Sequence, residues 1–102
     1  MYHEDPAAHR YAELHLKFLE DNNPAVLRDL EQSGDLSSYL SSVGEQASLM
    51  FGHVMAQYRH SKEVQDLPHL QQVQALQSRR HEAEEIVLHD VIFQPLRNQQ
   101  SD

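Results

Sequence analysis

The spacing of apolar residues between Leu36 and Tyr58 constrains this chain more than any other feature. Leu36, Leu40, Val43, Ala47, Met50, Val54 and Tyr58 recur at steps of three and four, the period of one helix face and not the alternation of a strand. They predict a long amphipathic helix from Asp35 to about His60. With only three glycines and four prolines in 102 residues, little in the composition opposes helix elsewhere.

The punctuation on either side yields three more helices. Asp5 before Pro6 is an N-cap followed by a first-turn proline, and Tyr11, Leu14, His15 and Phe18 repeat at helical spacing, so a first helix is expected from Pro6 to Asp21. Asn22, Asn23 and Pro24 break it. Asn23 then caps a short second helix with Val26, Leu27 and Leu30 on one face, which Gly34 closes. Ser61 to Asp66 carries no periodic apolar residue and reads as a connection. Asp66 and Pro68 announce a fourth helix running to about Phe93, with Leu70, Val73, Leu76, Ala83, Val87 and Val91 inward, until Pro95 stops it.

The resulting expectation is an all-α fold, a long antiparallel helical hairpin with two short N-terminal helices packed on it. Residues 1–96 form a single domain and 97–102 a polar tail. A chain of this length buries roughly 60% of its unfolded surface, enough for one modest core. Each long helix is about 39 Å at 1.5 Å per residue, whereas the first spans only about 24 Å. Around Ile86, Val87, Leu88, Val91, Ile92 and Phe93 the fourth helix is apolar almost all round, as expected where several helices meet. Toward the turn, only the two long helices remain to cover Met50, Phe51, Met55 and Tyr58. That arm is therefore expected to be a protein interface, with Met50, Phe51, Met55 and Tyr58 as contacts and Arg59 and Arg79 as flanking charges.

Two ordered blocks carry a family resemblance. The first runs from Tyr11 through Phe18, Leu19 and Glu20, past Asn23 and Pro24, to Leu30, Ser33, Gly34, Leu36 and Leu40. The second comprises Ala83, Glu85, Ile86, Val87, Asp90, Val91, Ile92 and Phe93. Together they resemble the TnpV family of small transposon-encoded proteins over about residues 11 to 93, through an aromatic-Leu-acidic step, a proline turn, a Ser-Gly-x-Leu corner and an Ala-x-Glu-Ile-Val ending. The chain departs from that pattern at Gln72, where the family usually has Trp, and at Arg79, where an aliphatic is usual. The resemblance implies a mobile-element setting and brings no established activity.

The chemistry excludes more than it proposes. Cysteine is absent, so disulfides and thiolate sites are too. His81, Glu85 and His89 stand four apart, but they do not form the His-Glu-x-x-His zinc signature, and no metal site or cofactor is expected. Ser37, Ser38, Ser41 and Ser42 lack a nucleophile elbow, and no glycine-rich phosphate loop can be built, so no catalytic residue and no enzyme activity are expected. Sixteen acidic against eight basic residues give a net charge of −8, which repels nucleic acid at long range and disfavours direct DNA binding. No apolar run suits a membrane, and a cytoplasmic location is expected.

Three functions follow as expectations. The first is a non-enzymatic protein acting through contacts with a protein partner or with itself as a homodimer. The second is an anti-defence inhibitor of the anti-CRISPR type, presenting an acidic surface to a host nucleic-acid-binding effector. The third, a DNA-binding accessory factor of transposition, fits the resemblance but not the charge.

Overall fold

Three helices begin where the punctuation places them. The computed structural model describes residues 5–93, of which 89% are helical and none lies in a strand. Helix α1 spans Pro6–Asn22, α2 Pro24–Ser33 and α3 Leu36–Arg59. Asp5 has extended backbone geometry and accepts from the Ala7 amide at 3.1 Å, a working N-cap before Pro6. Asn23 occupies the same position before Pro24 but makes no side-chain cap bond. Gly34 closes α2 at φ 81°, in the left-handed region that glycine enters without a steric penalty.

The second half departs from expectation in three ways. A one-turn helix, α4, occupies Lys62–Gln65 within the stretch read as a connection. Ser61 caps it by accepting from the Val64 amide at 3.4 Å, and Val64 is buried. A single apolar residue in a single turn leaves no period to detect. Helix α5 spans only His69–Val87, and its first turns are solvated: Leu70 is 68% and Val73 39% exposed rather than inward.

The third departure is a π-helical turn over Leu88–Ile92, closed by the Phe93 amide donating to the Leu88 carbonyl at 2.8 Å. Its extra residue shifts the buried face. Burial steps from Ala83 to Val87 by four and from Val87 to Ile92 by five, leaving Val91 half-buried. Pro95 and the expected tail, residues 97–102, lie outside the described residues.

Helix α1 runs antiparallel along the first half of α3, and glycine lets it come close. A Cβ on Gly44 would stand 2.2 Å from the Ala8 carbonyl oxygen and 3.2 Å from the Ala12 Cβ. Tyr11, Val43, Ala47, Val87 and Ile92 form the core between α1, α3 and the π-helical turn. His15 is buried within this packing, with Nδ1 2.7 Å from the Ile92 carbonyl oxygen and Nε2 2.7 Å from the Tyr39 hydroxyl. A carbonyl only accepts, so Nδ1 carries the hydrogen and Nε2 accepts from Tyr39.

Candidate functional site

The position of the α1 N-terminus defines the arm. Ser48 of α3 donates to Asp5 at 2.8 Å, and Tyr11 donates to Glu84 of α5 at 2.9 Å, with Arg10 paired to the same carboxylate. Burial and the Glu84 hydrogen bond push the Tyr11 hydroxyl up to about 12. Beyond Ser48, α3 continues for eleven residues to Arg59, about 16 Å at 1.5 Å per residue. Met50 and Phe51 at its start still pack against the core cluster, and farther out Tyr58 meets α5 through Arg79 and Glu82.

The structure places Met50, Phe51, Met55, Tyr58 and Arg59 on this projecting half of α3, and Arg79 opposite them on α5. Met50 and Phe51 are half-buried at the edge of the core. Met55 and Tyr58 are half-buried farther out, and Arg59 is exposed. The Arg79 guanidinium lies 5.1 Å from the Tyr58 ring centroid and 3.4 Å from Glu63. Tyr58 also donates to Glu82 at 3.4 Å. Arg79 therefore joins α4 to both long helices, and the cation stacked on the ring offsets the aliphatic expected there.

Sequence reasoning missed several neighbours. Arg80 lies over the Phe51 ring at 5.1 Å, and Leu49, at 69% the most exposed of the large apolar residues described, occupies the outer side of α3. Residues three or four apart share a helix face. Leu49 thus belongs to a row with Gly52 and Ala56, separate from the Phe51 and Met55 row.

Charge is divided between arm and body. Residues 50–82 hold four of the eight Lys and Arg and four of the eight histidines, with three carboxylates. The other described residues hold eleven carboxylates against three Lys and Arg. The histidines considered as metal ligands are separately engaged: His81 lies 3.3 Å from Glu85, and His89 3.0 Å from Asp90. No group of three His, Cys, Asp or Glu among the described residues is arranged to hold a metal ion, and no described helix is long and apolar enough to cross a membrane.

Comparison with curated proteins and with solved structures gave no match. The family model described as transposon-encoded protein TnpV matches residues 2–92, a span that takes in the α1–α3 packing, the arm and the π-helical turn. The chain is a member of the TnpV family of transposon-encoded proteins.

Proposed function

We propose that this transposon-encoded protein acts without catalysis, through protein contacts made by the arm. The supporting observation is the exposure of the hairpin beyond Ser48. Phe51 and Met55 are only half-buried there, and Val73 and Leu70 on the facing helix are largely solvated. Two helices cannot enclose such residues by themselves, and aromatic and Met side chains are enriched where interfaces form.

The test is a pull-down from host lysate with nuclease treatment, using wild type and the Phe51→Glu, Met55→Glu double variant as bait. The reading expects a nuclease-resistant protein partner held by wild type and lost from the variant. Retained helicity and an unchanged cooperative melt would show that the variant still folds. Val73→Glu, at a more exposed position, gives the same test with less risk to the core. Equal capture by all three baits would remove the arm from the function.

The charge division supports a second reading, inhibition of a host nucleic-acid-binding effector by the acidic body. Its distinguishing result is a captured effector that wild type displaces from nucleic acid. Reversing Glu13 and Glu20 on the body would weaken that displacement, while the Phe51 and Met55 changes would not.

A further inference from the structure

On the side of α3 turned away from α5, Glu45, Leu49, Gly52, Ala56 and Arg59 follow one another at steps of four, three, four and three. This is the spacing of a helix–helix seam. Leu49 is 69% exposed, a Cβ on Gly52 would meet nothing within 4 Å, and Glu45 and Arg59 are both exposed. Neither Glu45 nor Arg59 has an ion-pair partner among the described residues.

The row is complementary to its own reverse. Gly52 lies midway, with Glu45 seven residues before it and Arg59 seven after. When two copies of α3 lie antiparallel about a two-fold axis at Gly52, each Arg59 stands level with the other copy's Glu45. Each Leu49 then stands within one residue of the level of the other copy's Ala56, and the glycines face each other at the crossing. A parallel pair would instead set Glu45 against Glu45 and Arg59 against Arg59. Antiparallel pairing also brings each neutral-to-basic arm beside the other copy's acidic body, which lowers the repulsion between two chains of net charge −8.

We propose that the outer face of α3 is an isologous antiparallel dimer contact, occupied by a second copy of this chain and centred on Gly52. The inference rests on the reading of the arm as a protein-contact element but assigns a different face. Self-association uses Leu49 and Gly52, which leaves the Phe51, Met55 and Val73 side open to another protein.

The experiment is sedimentation equilibrium on Glu45→Arg, Arg59→Glu and the double swap, with Leu49→Asp beside them. Each two-fold contact contains the charge pair twice, so either single reversal should raise the dimer dissociation constant about tenfold or more. The double swap should restore it to near wild type. Leu49→Asp should give monomer with an unchanged melt when measured at a concentration where wild type is also monomeric, since Leu49 supports nothing within one chain. In a chain without cysteine, Gly52→Cys should form a disulfide-linked dimer under mild oxidation, and Lys62→Cys should not.

A wild type that is monomeric at every concentration, or a double swap no better than the single reversals, would overturn the proposal. So would Leu49→Asp abolishing capture of a different protein while self-association persists. If self-association depends on Phe51 and Met55 but ignores Glu45, Leu49 and Arg59, this proposal fails while the arm reading stands. If it depends on the seam and the Phe51, Met55 variant captures everything wild type does, the seam stands and the assignment of other contacts to Phe51 and Met55 fails.

Discussion

The Nδ1 of His15 and the carbonyl oxygen of Ile92 lie 2.7 Å apart, tying the first helix to the π-helical turn at the far end of the described chain. The imidazole is buried, and its other nitrogen accepts from Tyr39. Burial holds its pKa below the ordinary 6.5, and the bond to Ile92 opposes that shift only in part.

Stability should therefore fall as pH drops below about 6.5. The unfolded chain takes up a proton at His15 there while the folded chain resists it, so the unfolded state binds more protons and gains on acidification. The loss continues down to the depressed folded pKa, at no more than about 1.4 kcal/mol per pH unit from this group. Urea melts of wild type and His15→Gln between pH 7.5 and 5 measure it. The variant should be less stable at pH 7.5 by about 1–3 kcal/mol, through the Ile92 and Tyr39 groups it leaves poorly matched. It should also show a shallower decline, and parallel declines would exclude His15 as the source.

Two glycines of one helix should respond in opposite directions. Gly44→Ala drives a Cβ into the Ala8 carbonyl and must push α1 off α3, a cost of about 1–3 kcal/mol. Gly52→Ala places a methyl in open space and should stabilise the monomer by about 0.5–1 kcal/mol through helix propensity. Thermal melts of dilute protein separate the two, and equal effects would contradict the close α1–α3 approach.

Glu84 should matter more than the arginine beside it. Glu84→Ala removes the acceptor from a buried Tyr11 hydroxyl and should cost about 1–3 kcal/mol. Arg10→Ala breaks an ion pair whose arginine is half exposed and removes the guanidinium from over the Tyr11 ring at 4.7 Å, for about 1 kcal/mol. Replacing Tyr11 with Phe in the Glu84→Ala background should recover part of the loss, which a double-mutant cycle reads directly.

Much of the fold was legible because helix ends in the first half carry explicit chemical marks. Asp5-Pro6, Asn23-Pro24 and Gly34 set the bounds of α1 and α2 to within a residue or so, each acting through its own local backbone preference. The second half depends on tertiary placement. Leu70 and Val73 look inward on a wheel, but their burial requires a layer that α1 does not supply, because its N-terminus lies at Ser48. Val64 shows the converse, a lone apolar residue whose burial follows from the path of the turn. On the arm, Phe51 and Met55 stood out by residue type. The Leu49 row could not be recognised until the positions of α1 and α5 showed which side of α3 they leave bare.

Chelator should leave the melt unchanged. His81 and His89 are each matched to a nearby carboxylate, Glu85 and Asp90, and no group of three His, Asp or Glu among the described residues is arranged to tie folding to a bound ion. A drop of several degrees with EDTA, reversed by zinc, would overturn this.

The five-residue step from Val87 to Ile92 is also a slip of phase. Helical periodicity fitted through α5 predicts the wrong buried side after Val87, although the residues that follow are strongly apolar. A scan that demands one unbroken phase would score this ending as poor helix. One that permits a single skipped beat before the aromatic would recognise it, and could find the same architecture in chains whose residue identities have drifted too far to align.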